Sequence, residues 1–95
     1  MNRARWTPPA QDDLAALDDE SSQLSPEYAR RIGREALAAA RFLAENPGAG
    51  PVVEGPVRKW RVLRTDYVLL YRIVAGGVEI LRLHHAMRDW RPRRQ

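Results

Sequence analysis

Two adjacent histidines and a set of arginines are the residues of this chain that could do chemistry. His84 and His85 invite a metal reading, but neighbours on a strand point to opposite faces, so the pair cannot hold one ion. The chain has no cysteine, and no carboxylate stands at a spacing that would complete a site, so neither a metal nor another cofactor is expected. Either imidazole alone could serve as a general acid or base, or could simply be a hydrogen-bonded residue at a strand end. No Ser-His-Asp arrangement, phosphate-cradling glycine loop or pair of hydrolytic carboxylates is evident. What remains is cationic: Lys59, Arg61, Arg72, Arg82 and Arg88. Such groups bind phosphate and can stabilise a pentavalent phosphate transition state. Trp60 and Trp90 stand among them, either to stack on bases or to fill the edge of the core.

These residues need strands to position them. Tyr67–Val74 is rich in β-branched and aromatic residues, as strands are. Ala75-Gly76-Gly77 makes a tight turn, and Val78–His85 returns. Arg58–Arg64 reads as a third strand, with a turn at Thr65-Asp66. Parity puts Tyr67, Leu69, Tyr71 and Ile73 on one face and Val68, Leu70, Arg72 and Val74 on the other. Arg72 is costly to bury unpaired, so its face is expected to meet solvent or a partner, although three of its members are apolar.

A meander with one apolar face must be covered, and two helices are available to cover it. Thr7-Pro8 starts the first helix, with Ala10, Leu14 and Leu17 at helical spacing. It runs into Asp18-Asp19-Glu20, which opposes the helix dipole, so an end between Asp19 and Gln23 is expected. That acidic run is a contact for a basic partner or a solvated helix end. Ser25-Pro26-Glu27 starts the second helix, Tyr28, Ile32, Ala36, Ala39 and Leu43 form its buried stripe, and Asn46-Pro47-Gly48 stops it. Arg31 with Glu35 and Arg41 with Glu45 are spaced to pair. Arg3–Trp6 alternates and makes a short strand; residues 46–56 read as a loop. The expected architecture is α+β, a helical hairpin on a small antiparallel sheet in the order β-α-α-β-β-β.

At 95 residues the chain makes one domain, 1–95, with residues 91–95 expected as a flexible basic tail. No apolar run approaches the ~20 residues of a membrane span, and no apolar signal region opens the chain, so no membrane partner and a cytoplasmic location are expected. Charge is divided. Residues 1–57 carry 6 Arg against 9 Asp or Glu, a balance of −3; residues 58–95 carry 10 Arg or Lys against 3 acids, a balance of +7. A basic half points to an anionic partner, nucleic acid or acidic protein, unless it only reflects an Arg-rich genome, lysine being 1 of the 16 cations.

Trp60-Arg61-Val62, then Asp66–Ile73, then Val78–His85 with Arg88-Asp89 occur in a specific order. With Ala10, Asp13-Leu14 and the segment Leu43–Gly50, they resemble the RelE/ParE family of bacterial type II toxin–antitoxin toxins, over nearly the whole chain to Trp90. The resemblance implies the same β-α-α-β-β-β fold. RelE-like members are ribosome-dependent mRNA endonucleases using basic residues on the sheet; ParE-like members lack that set and poison DNA gyrase. Of the nuclease positions, Arg61 and Arg88 are filled, whereas Leu63 and Val68 stand where cations are needed. Losing one transition-state donor costs about 2.7–4 kcal/mol. The resemblance therefore implies a ParE-like gyrase inhibitor rather than an enzyme, neutralised by a ParD-like antitoxin whose disordered C-terminal segment wraps it. Surface chemistry nominates Arg58, Lys59, Trp60, Arg61, Arg88 and Trp90 for the target, and Val68, Leu70, Arg72, Val74 and Arg82 for the antitoxin. In the alternative, a ribosome-dependent mRNA interferase, Lys59, Arg61, His85 and Arg88 would bind phosphate and transfer protons. A third possibility is a binding module that has lost toxicity.

Overall fold

Thr7 joins the first strand to the first helix. In the computed structural model, which describes residues 2–19 and 25–87, its hydroxyl accepts from the Ala10 amide at 3.3 Å. The same hydroxyl lies 3.0 Å from the Ile80 carbonyl and 3.2 Å from that of Leu81, to which it can donate. One side chain thus caps α1 (Pro8–Asp19) and anchors its start to the last strand. The end of α1 falls at Asp19, at the near limit of the expected range; the rest of that range lies outside the described residues.

Helix α2 (Pro26–Glu45) begins where Ser25 Oγ accepts from the Tyr28 amide at 3.0 Å. It ends where Asn46 returns its backbone N–H to Phe42 and Leu43 carbonyls and its side-chain amide to Phe42. Its buried stripe is Ala29, Ile32, Ala36, Ala39, Ala40, Leu43 and Ala44. Alanines dominate it, which lets the helix lie close to the sheet. Arg31–Glu35 and Arg41–Glu45 do not close into ion pairs among the described residues; exposed pairs of this kind gain little over water.

The sheet has five strands in the order β1-β5-β4-β3-β2: β1 (Arg3–Trp6), β2 (Val52–Glu54), β3 (Val57–Arg61), β4 (Tyr67–Val74) and β5 (Gly77–His85). β1 runs parallel to β5; the other pairs are antiparallel. Two details depart from expectation. Within the 46–56 segment, Val52–Glu54 adds a short, irregular edge strand to β3. And β3 ends at Arg61 rather than Arg64, because Val62 turns into the core and Arg64 takes a positive φ of 62° in the turn that follows. Thr65 holds that turn, donating from Oγ1 to the Val62 carbonyl and accepting from the Tyr67 amide.

Leu70 pairs with Arg82 but Tyr71 with Ile80, so Leu81 is an extra residue in β5. The bulge resets the parity of β5. It brings Val78, Ile80 and Leu83 all onto the helix-covered side with Tyr67, Leu69 and Tyr71. Ile32, Leu43, Leu69 and Ile80 are essentially fully buried here, each worth about 1.5–3 kcal/mol of transfer free energy. Among the described residues no helix packs on the sheet's other face, and the candidate chemistry collects on it.

Candidate partner-binding face

The outer face is read row by row across the strands. Arg61, Val68 and His84 stand opposite one another, then Lys59, Leu70 and Arg82, and then Arg72, Glu79 and Arg5. Val74 lies beyond, opposite Gly77 and Arg3. The structure thus brings together Lys59, Arg61, Val68, Leu70, Arg72, Val74 and Arg82. It places Arg58 and Trp60 on the other side of β3, facing the helices. His84 and His85 separate likewise: His85 makes an edge-on contact with Tyr67 at 5.6 Å between ring centroids. Arg88, Trp90 and the 91–95 tail lie outside the described residues.

Several nominated side chains prove to be engaged. Arg58 donates to the carbonyls of Gly50 at 2.8 Å and Gly48 at 3.4 Å, so it ties down the loop after α2. Trp60 stacks on Phe42 with centroids 5.4 Å apart, at the rim of the core. Val68 and Leu70 correct the expectation of open apolar ground: they are 5% and 1% exposed. Cationic residues and a histidine flank both, and the stems of long cations cover apolar surface while their charges stay in water. The open apolar ground lies around the edge instead. There Glu35, Ala38, Ala39, Phe42, Trp60 and Leu63 line a groove of about 330 Å³ between α2 and β3.

Arg82 is clamped from an unexpected quarter. Its Nε donates to Asp13 Oδ2 at 2.8 Å and a terminal nitrogen to Oδ1 at 3.0 Å, a bidentate pair. Asp13 Oδ2 also accepts from the Leu83 amide at 2.9 Å, serving as partner for β5 just past the end of β1. The arginine's pKa is raised above its ordinary value, chiefly by the hydrogen bond it donates to Asp13, with burial opposing and the carboxylate's charge adding. A raised base contributes stability at every pH below its unfolded pKa and loses it only on passing the folded one, so Arg82 does not release this pair near neutrality. Asp13→Ala is expected to destabilise the domain by about 2 kcal/mol, kept modest because Arg82 is 42% exposed on its side chain. Urea unfolding measures it; a loss under about 0.5 kcal/mol would place the pair among inert surface contacts.

Glu79 is buried between two arginines, with Oε2 3.1 Å from Arg5 and Oε1 2.7 Å from Arg72. Arg61 meets Asp66 at only 3.4 Å, with both side chains largely exposed. His84 sets its Nδ1 2.8 Å from the His85 carbonyl, which makes Nδ1 the donor, and its buried Nε2 has no hydrogen-bond partner among the described residues. Among the described residues no group of three or more His, Asp or Glu is placed to hold a metal ion, and no helix is long and apolar enough to cross a membrane. Asp13, Glu79, Arg3 and Arg5 were not singled out as site residues. Counting back from the glycine turn pairs Arg72 with Glu79, so that contact had a signal; the Asp13 reach needs the docked helix.

With this geometry in hand, the relatives can be placed. The family pattern described as ParE toxin of type II toxin-antitoxin system, parDE, matches residues 4–90. The chain belongs to this ParE toxin family. Toxin RelE2 of Caulobacter vibrioides is 36% identical over 88 residues, covering 93% of this chain and 99% of that protein. Among solved structures, the chromosomal ParDE TA system from P. aeruginosa superposes with a TM-score of 0.73 at 27% identity, over 90% of this chain and 96% of that one. The toxin–antitoxin complex RelBE2 from Mycobacterium tuberculosis superposes at 0.64 and 28% identity, over 88% and 96%. This ParE-family chain is therefore a type II toxin–antitoxin toxin of the RelE/ParE group, on the α+β fold that the group shares.

Proposed function

We propose that this toxin inhibits DNA gyrase in the cytoplasm and is neutralised by a cognate ParD-like antitoxin. The observation that carries the reading is at Val68. Where the nuclease pattern requires a cation beside Arg61, the outer face offers a buried isopropyl group. Leu63, the second substituted position, turns to the Phe42–Trp60 groove on the other side. Phosphoryl transfer depends on preorganised donors aimed at developing charge, and this face lacks two of them while Arg82 is held by Asp13. The antitoxin's acidic segment would meet the outer face at Arg72 and Arg82, with the groove along α2 receiving its apolar residues. The ParDE and RelBE2 complexes support a protein partner of that kind.

A ribosome-dependent mRNA interferase is the second reading. It is favoured by Lys59 and Arg61, both exposed and two residues apart on one face, and by the name of the Caulobacter relative. Purified toxin added to a gyrase supercoiling assay and to a translating-ribosome cleavage assay separates the two. Inhibited supercoiling with intact mRNA is the expected result; ribosome-dependent mRNA cuts with normal supercoiling would overturn it. Growth arrest on induced expression, relieved by the antitoxin gene, is expected in either case and excludes a module without toxicity.

A further inference from the structure

The end of the outer face nearest the β4–β5 turn holds a second cluster, remote from the Arg61–His84 row. Arg3, Arg5, Arg72, Val74, Ala75, Gly76, Val78 and Glu79 enclose a cleft of about 460 Å³. Its charge comes from three arginines and one carboxylate, a balance of +2. Glu79 holds Arg5 with one oxygen and Arg72 with the other, and its own side chain is only 11% exposed. Arg5 and Arg72 are 76% and 48% exposed, so the carboxylate is the floor and the guanidinium groups are the rim. Each guanidinium has five N–H donors, and one of each is spent on Glu79. Arg3 makes no ion pair among the described residues. Glu79 orients Arg5 and Arg72, which lowers the ordering cost of using their remaining donors in charge-assisted recognition of an anion.

We infer that this cleft docks a pair of carboxylates on an acidic segment of a protein partner, engaging Arg3, Arg5 and Arg72 at a point separate from the Lys59–Arg61 end. The choice of a protein partner rests on the reading of an antitoxin above. Two observations favour it over nucleic acid. Among the described residues no aromatic ring lines the cleft, so none offers a base a stacking platform. Its remaining wall is small and apolar, Val74 and Ala75 beside the Gly76 backbone, which suits the alternating acidic and apolar residues of an amphipathic segment. Arg3 and Arg5 come from β1, in the half of the chain whose net charge is negative, so only the parallel pairing of β1 with β5 creates this cationic spot.

The test uses a fluorescein-labelled 12-residue peptide alternating Leu and Glu, and a single-stranded oligonucleotide of equal charge, titrated with the intact toxin and followed by anisotropy. The variant Arg5→Gln/Arg72→Gln/Glu79→Gln removes the rim without stranding a buried carboxylate. Arg3→Gln touches no ion pair and guards against a folding defect in the first. Arg31→Gln/Arg34→Gln on α2 removes two exposed charges elsewhere. Peptide affinity is expected to fall about tenfold in the triple variant and about threefold in Arg3→Gln, with under twofold change in the α2 control. Equal losses in the control would overturn the inference in favour of net charge alone. So would absence of peptide binding to the unsubstituted toxin, or an oligonucleotide that binds more tightly and is lost with the same arginines. The peptide arm needs neither antitoxin nor gyrase, so its failure leaves the proposed function standing. Failure of the gyrase and antitoxin assays leaves the peptide result unaltered.

Discussion

Replacing Gly77 with alanine is expected to lower the unfolding free energy by about 4 kcal/mol, from overpacking of roughly 1–3 and backbone strain of roughly 1–3. Gly77 opens β5 with φ 146°, and a Cβ there would run into the backbone of Arg3. β1 is hydrogen-bonded to β5 at this point, so the strand has to leave or the sheet has to open. Domains of this size have about 5–15 kcal/mol in hand, and each kcal/mol moves Tm by about 4–8 °C, so a fall on the order of 20 °C is expected by circular dichroism. Gly76→Ala supplies the comparison. Gly76 has a positive φ of 82° but open space around it, so only conformational strain of about 1 kcal/mol applies. If the two variants melt together, close approach is not what Gly77 is there for.

Tyr71→Phe should cost about 2 kcal/mol, because removing one oxygen strands the buried Gly50 amide, at roughly 1–3 kcal/mol, and takes a donor from the part-buried Pro47 carbonyl. Tyr71 is fully buried; its hydroxyl donates to the Pro47 carbonyl at 2.7 Å and accepts from the Gly50 amide at 2.9 Å. Gly50 packs so closely that a Cβ there would meet both Tyr71 and the Lys59 carbonyl. The urea midpoint should therefore fall with m unchanged, and the Gly50 amide should exchange faster than its neighbours in β4. A variant that keeps both its midpoint and its Gly50 protection would mean that the hydroxyl is dispensable.

Helix starts, the β4–β5 hairpin and the division of β4 into two faces were all legible, because each depends on local rules: a hydroxyl before proline, a glycine turn, a period of two. Burial of Val68 and Leu70 was not. Parity assigns a side chain to a face but does not say how deeply its neighbours' stems lie over it. The bulge at Leu81 was hidden for a similar reason: an extra residue in β5 leaves no mark until β4 is laid beside it. The site was legible in kind, cations on the uncovered face, and illegible in its pairing. Asp13 and Arg82 are separated by most of the chain, as are Arg5 and Glu79, and no local pattern joins them. Surface chemistry groups Arg58 and Trp60 with Lys59 and Arg61, yet alternation sends the two pairs to opposite sides.

The parallel pairing of β1 with β5 has a consequence for birth of the molecule. β1 finds its hydrogen-bonding mate only in β5, far along the chain, and β5 lies inside the sheet rather than at its border. A nascent chain lacking Gly77–His85 can form α1 and α2 but has nowhere to seat β1 and no wall for Leu69 and Tyr71. Assembly must then wait on a long-range closure, the slow class of topology, so both helices precede the sheet that seats them.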